Sequence, residues 1–325
     1  MIELSESKRL KRPSKEVLEK YRVNVKSDSS FRANARSLQS IWRIENFKDA
    51  LIGKDDRNLR DLGNMLPLKF AQEGDNRPNF LNEGITKIVM KAIDESKITR
   101  AKIMEPRIWN NLLSSQPLCF NLFAELSINL NLAKEVFSRV FKVEITKVEK
   151  IEFEYSPGRS DLRYSNDRSA FDVFIDYESP EGKAFIGIEV KYSEALKDKP
   201  SSHKMRYEEI TQNSMIFRDG VIDQLKRKPL QQIWRDHLLA LSLYKENSDY
   251  KKGLFVYLYP QDNIECYQAI KGYINTFREP TVEFSGFYPV TLESFVRTLK
   301  TLGIEDDKWV RDFEDRYLNF AKLNS

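Results

Sequence analysis

Ser169-Ala170-Phe171-Asp172-Val173-Phe174-Ile175-Asp176-Tyr177 is followed by Glu178 and then by Ser179-Pro180-Glu181-Gly182. After these comes Lys183-Ala184-Phe185-Ile186-Gly187-Ile188-Glu189-Val190-Lys191-Tyr192. The stretch reads as two strands, Ser169–Tyr177 and Lys183–Tyr192, closed by a tight turn. Ser at the first turn position, Pro at the second and Gly at the fourth are the residues a type I turn favours. A two-residue loop centred on Pro180 and Glu181 fixes the register. It sets Phe171 opposite Val190, Val173 opposite Ile188 and Ile175 opposite Ile186, all apolar pairs on one face. On the other face it sets Asp172 opposite Glu189, with Lys191 two residues on and projecting from that same face.

Directly opposed carboxylates repel, and such pairs are normally avoided. A divalent cation between them would remove the conflict, because Mg²⁺ is usually held by one or two carboxylates plus waters and substrate phosphates. A neighbouring lysine then orients or deprotonates the attacking water, or neutralises charge on a phosphate. The bland alternative is a solvated sheet face on which Lys191 bridges the two acids.

Outward from the hairpin, Val148–Tyr155 alternates as a strand and Pro157-Gly158-Arg159-Ser160-Asp161 is a loop. Leu118–Phe141 reads as one long amphipathic helix. Pro229–Lys245 reads as a helix, Gly253–Tyr259 as a strand, Ile264–Phe277 as a helix and Val282–Phe287 as a strand. Thr291–Leu302 and Asp306–Leu323 read as helices. This order describes an α/β protein, a mixed sheet flanked by helices. Upstream, helices are expected at Glu16–Val25, over 31–48 and at Glu83–Lys97, with a short helical piece between Pro106 and Pro117. Residues 1–30 look otherwise loose, and 49–84 irregular. The reading divides the chain into a basic, mostly helical extension over 1–117 and a core with C-terminal helices over 118–325.

Asp172, the hairpin and Ile188-Glu189-Val190-Lys191 together resemble the PD-(D/E)XK nuclease superfamily, in particular its restriction-endonuclease-like bacterial branch. The family signature is an acid on the second core strand, then (D/E)-x-K on the third. Phe171 stands where the signature has Pro. The resemblance spans roughly residues 118–290, and its specificity comes from the surrounding strands and helices more than from the spacing itself. It implies that Asp172, Glu189 and the backbone carbonyl of Val190 hold Mg²⁺ or Mn²⁺, and that Lys191 fills the lysine role. The implied reaction is phosphodiester hydrolysis by an in-line water. The implied substrate is nucleic acid, most readily double-stranded DNA, in restriction or anti-phage defence, with a homodimer or a defence-complex protein as partner. An RNA or tRNA nuclease on the same fold, or a non-cleaving DNA-binding or scaffold module, are the alternatives.

Further candidates for the site are Glu125 on the helix before the first strand, Glu154 on that strand, and Gln232 and Arg235 a turn apart on Pro229–Lys245. Arg159 and Arg163 flank the loop ahead of the second strand and are candidates for holding a nucleic-acid backbone. His237 is expected to pack on its helix. Phe255, Tyr257 and Tyr259 are expected to be core residues with one exposed face.

Composition removes other chemistries. The 325 residues contain two histidines and two cysteines, so a His-rich metal site and a four-thiolate zinc site both lack ligands. No GxxxxGK[ST] loop occurs, since Gly53-Lys54 is followed by Asp55. No apolar run reaches the roughly 18–20 residues of a membrane helix, and Met1–Pro13 has no apolar secretory core. Mean hydropathy is −0.55. Cysteine usage points to a reducing, cytoplasmic setting. Residues 1–60 hold 15 Lys and Arg against nine Asp and Glu, while the whole chain is only +4. A basic arm on a nearly neutral body fits contact with an anionic polymer.

Overall fold

In a computed structural model, the structure describes residues 1–47, 52–55, 59–73, 77–194, 196, 200–304 and 307–324. The ends at 48 and 306 of two helices read from sequence lie outside those residues. Two compact units form. One comprises Met1–Glu6, Asn129–Gln261 and Glu265–Phe295; the other comprises Ser7–Ile128, Asp262–Ile264 and Val296–Ser325.

The first unit is built on a five-stranded sheet, with β1 (Lys147–Tyr155), β2 (Phe171–Ser179), β3 (Gly182–Val190), β4 (Lys252–Tyr259) and β5 (Phe287–Thr291) in sequential order. β1 to β3 form an antiparallel meander, while β4 and β5 are parallel additions. Parallel neighbours need crossover connections, which helices supply here. Ser179 pairs with Gly182, Ile175 with Ile186 and Val173 with Ile188, so the register follows the one read from the turn. Gly182 sits at φ 117°, a backbone angle that a side chain resists.

Both faces of the hairpin are buried. Val173, Ile175, Ile186 and Ile188 are fully enclosed, and so are Phe174 and Phe185 on the face that carries the carboxylates. A mixed sheet with helices on it has no broad wet face, and Asp172 and Glu189 lie at its end. Phe171 departs from its expected face. Its ring lies over Gly187, where an added Cβ would come within 2.5 Å of it, and it stacks with Phe174. Strict alternation ends where the ladder ends, at Val173 and Ile188.

Helices α1 (Lys15–Lys20), α2 (Ser30–Asn46), α3 (Leu68–Gln72), α4 (Glu83–Thr99), α5 (Arg107–Asn110) and α6 (Ser115–Ile128) belong to the second unit. The boundary read at 117/118 falls inside α6. The single helix expected over Leu118–Phe141 is two, α6 and α7 (Leu130–Phe141). Asn129 separates them, and its side chain accepts from Leu132 N–H at 3.0 Å as the cap of α7. Between β3 and β4 lie α8 (Met205–Ser214), α9 (Ile222–Leu225) and α10 (Leu230–Glu246). The polar composition of α8 hides it from a periodicity reading. After β4 come α11 (Ile264–Ile274) and α12 (Val282–Ser285), and after β5 come α13 (Leu292–Leu299) and α14 (Lys308–Tyr317).

The strand expected at Val282–Phe287 is therefore α12 plus the start of β5. The Thr281 hydroxyl accepts from Phe284 N–H, and Gly286 ends the turn at φ 65°. Those caps override an apolar, β-prone run. The expected helix start at Thr291 is the last residue of β5.

The N-terminus is irregular but anchored, contrary to the expected loose arm. Ile2 N–H donates to Pro280 O at 2.7 Å, and Gln261 Nε2 donates to Glu6 O at 2.9 Å. In the second unit, Arg12 donates to Asp28 O and Val25 O, and Asn34 donates to Lys11 O. Backbone bonds of this kind leave no trace in composition. Among the described residues no helix is long and apolar enough to cross a membrane.

Candidate active site

Asp172 and Glu189 lie one residue beyond the Val173–Ile188 pair that ends the β2–β3 ladder. Beyond that pair, Val190 N–H donates to Asp172 Oδ2 at 2.7 Å. The carboxylate thus takes the place of a ladder acceptor, and it is held at the mouth of the hairpin. Glu189 and Lys191 are each 6% exposed. Lys191 Nζ donates to Glu189 Oε1. The same oxygen accepts from Gln232 Nε2 at 3.0 Å. Gln232 is exposed, so the pair lies just behind the surface.

The electrostatics follow from this crowding. Burial, then the charges of Glu189 and Glu154, raise the Asp172 carboxyl well above the usual carboxylate range. Burial alone would lower the Lys191 ammonium. Glu189, Glu194, Asp172 and Asp236 outweigh that and raise it instead. Lys191 is therefore a cation at neutral pH, suited to stabilise phosphate charge and unsuited to take a proton.

Glu154 reaches the site by an unusual route. It has φ 52°, in the left-handed region, within β1. Such an angle in a strand re-aims side chains, as a bulge does. The charge of Glu154 acts on Asp172.

Other candidates lie elsewhere. Glu125, in the second unit, accepts from Asn82 Nδ2 at 2.6 Å, and Asn82 caps α4. Arg235 donates to Asp167 Oδ2 at 2.9–3.0 Å, to Ser169 Oγ and to Ser201 Oγ. It fastens the loop before β2 to α10 and is not directed at Glu189. Arg159 donates to the carbonyls of Arg168 and Glu154. Arg163 is exposed and chelates Asp161 at 2.7–3.2 Å. Its charge is thus partly met within its own loop. His237 Nε2 donates to Ser285 O and its Nδ1 bonds Tyr273 Oη, both at 2.9 Å, and the residue is fully buried. Burial drops its pKa to about 3, so it is a neutral packing residue. Phe255, Tyr257 and Tyr259 are at most 1% exposed, so the exposed face expected for them does not exist.

Sequence reasoning passed over Asp236. It is 6% exposed, and burial followed by Glu189 raises its carboxyl well above the usual range. The signal was its spacing, four residues after Gln232 on one helix face. Asp167, which holds Arg235, had no sequence signal at all.

No three His, Cys, Asp or Glu side chains gather at metal-ligand spacing among the described residues. A cation at the hairpin would rest on the Asp172 and Glu189 carboxylates, with the Val190 carbonyl, water and phosphate filling other positions. That sparse, carboxylate-based donor set suits Mg²⁺, which keeps several waters and borrows oxygens from phosphate. The mutual repulsion that raises Asp172 is the conflict such a cation would relieve, so the residues fit the group.

The chain matches the PD-(D/E)XK nuclease superfamily over residues 26–319. It belongs to that superfamily, whose members are nucleases that generally use divalent metals. The match takes in the helices upstream of the sheet as well as the hairpin. No curated protein and no solved structure matches the chain.

Proposed function

We propose that the protein is a Mg²⁺- or Mn²⁺-dependent DNA endonuclease of the restriction or anti-phage defence kind, working from Asp172, Glu189 and Lys191. The observation that carries this reading is the Asp172–Glu189–Lys191 cluster at one hairpin end, with the exposed Gln232 bonded to Glu189. Asp172, Glu189 and the Val190 carbonyl would hold the cation. When bound, it supplies Lewis-acid polarisation of the phosphate and a more acidic water. Lys191, kept as an ammonium by its four acidic neighbours, offsets charge that develops on the phosphate. Gln232 fixes the carboxylate of Glu189 from α10. Arg159, Arg163 and exposed basic residues of the N-terminal segment (Lys8, Arg9, Lys11 and Lys15) are the proposed backbone contacts. Two buried thiols, Cys119 and Cys266, are in keeping with a reducing cytoplasm. A homodimer would let two such sites cut two strands.

The test is incubation with plasmid, single-stranded DNA and RNA, each with Mg²⁺, Mn²⁺, Ca²⁺ or chelator. Plasmid should be cut with Mg²⁺ or Mn²⁺, and not with Ca²⁺ or chelator. Cleavage that persists in chelator contradicts the carboxylate mechanism. Cleavage of RNA alone moves the substrate and keeps the site.

A further inference from the structure

Asp236 lies one turn beyond Gln232 on α10, and side chains four residues apart share a helix face. Gln232 reaches the surface and donates to Glu189 Oε1 at 3.0 Å. Asp236 sits deeper, and its Oδ2 is enclosed with no hydrogen-bond partner among the described residues. An enclosed carboxyl oxygen left without a partner is a cost to folding. Its surroundings point to the site. Glu189 acts on Asp236 more strongly than its chain neighbour Arg235 does, and Lys191 acts on it as well. Arg235 is already committed to Asp167, Ser169 and Ser201. Lys191 feels the charges of Glu189, Glu194, Asp172 and Asp236, and donates to Glu189.

That last bond conflicts with the role proposed for Glu189. A carboxylate that holds a divalent cation gives up much of its attraction for an ammonium, and the cation itself repels Lys191. Lys191 then needs a second acceptor to stay in place, and the buried Asp236 carboxyl, whose charge already acts on it, carries an unpartnered oxygen. We propose that Asp236 is a positioning residue, the acceptor that holds the Lys191 ammonium when Glu189 and Asp172 hold a divalent cation. The inference rests on the nuclease reading of the hairpin.

Full-length wild type, Asp172→Asn, Asp236→Asn and Asp236→Glu should be titrated with Mn²⁺ by calorimetry and assayed on plasmid. Asp236→Asn leaves the Lys191 ammonium on Glu189 in competition with the cation, and should bind Mn²⁺ about 10-fold more weakly, at the low end of the losses seen when the surroundings of a metal site are altered. Its kcat should fall by a similar factor with KM for DNA unchanged, and Asp236→Glu should recover part of both. If Asp172→Asn loses Mn²⁺ binding while Asp236→Asn titrates like wild type, the Asp236 assignment fails and the hairpin reading stands. If Asp172→Asn also titrates like wild type, both fail. Should Asp236→Asn not fold, wild type labelled with ¹⁵N-lysine decides. Its Lys191 ammonium should stay protected from solvent exchange when Mg²⁺ is added. Loss of that protection overturns the proposal.

Discussion

Asp167 and Asp172 lie five residues apart in one unit, both set against buried surroundings, and their carboxyls are driven in opposite directions. Burial pushes Asp167 up, but Arg235, the Ser169 amide, Ser165 and Tyr207 outweigh it and leave it below the usual carboxylate range. Its oxygens accept from Ser165 Oγ, Ser169 N and Oγ, Tyr207 Oη and Arg235. Asp172 accepts from the Val190 amide, yet burial and two acidic neighbours leave it raised. Asp167 is a satisfied joint between a loop and two helices. Asp172 stands in a cluster whose charges are still in conflict, which is how sites that await a ligand differ from joints. Arg316 in the second unit resembles Asp167: fully buried, it donates to Asn79 and Gln39 and lies 4.3 Å over the ring of Trp42.

The contrast breaks first under substitution. Asp172→Ala, Glu189→Ala and Lys191→Ala should each reduce cleavage by at least about 10²–10³-fold, on the scale of losing one group that stabilises the transition state. The first two should also weaken cation binding, and Lys191→Ala should not. Without cation, Asp172→Ala should melt at or above wild type, since it relieves repulsion of order 1 kcal/mol. Asp167→Ala should do the reverse, destabilising the fold by about 3–5 kcal/mol because Arg235 loses its buried partner. A large loss of stability in Asp172→Ala, measured by denaturant titration, would make it a joint like Asp167.

His237 gives a second, smaller contrast, through pH. A folded pKa of about 3 against an ordinary 6.5 means the unfolded chain binds the extra proton between those values. Stability from this residue is therefore complete above about pH 6.5 and drains away as pH falls toward 3, by on the order of a few kcal/mol. Asp172 and Asp236 work the other way: their raised carboxyls cost stability as pH climbs above the ordinary carboxylate range. The His237→Gln variant should flatten the acid limb of the stability curve; an unchanged limb would show that the imidazole does not stay neutral.

The smallest effect concerns the exposed N-terminal cations. Replacing Lys8, Arg9, Lys11 and Lys15 by Gln should lower the slope of log K against log salt by up to about 0.9 for each lost phosphate contact. Substitution is the right test, because deleting the segment would also remove the bonds of Ile2, Glu6, Lys11 and Arg12. An unchanged slope would restrict backbone contact to Arg159, Arg163 and their loop.

The hairpin was legible because turn residues and a period-two apolar pattern both constrain the same register. Asp172, Glu189 and Lys191 followed from that register as a group. Phe171 was misplaced because alternation stops once a side chain takes over the ladder at Asp172. The left-handed Glu154, the commitment of Arg235 to Asp167 and the burial of Asp236 depend on contacts between segments distant in sequence, which no local pattern encodes. Val282–Phe287 shows the converse failure: the local caps were present at Thr281 and Gly286, but the apolar run outweighed them in the reading.

The central claim is that the conflict at Asp172 is the signature of a cation site. Thermal melting of wild type and Asp172→Asn, with and without Mn²⁺, tests it most directly. At a concentration one hundred times Kd, a cation bound only by the folded state adds about 2.7 kcal/mol of stability. Wild type should gain a stabilisation of that order and Asp172→Asn should gain none. Equal shifts in the two proteins, or none in either, would contradict the account.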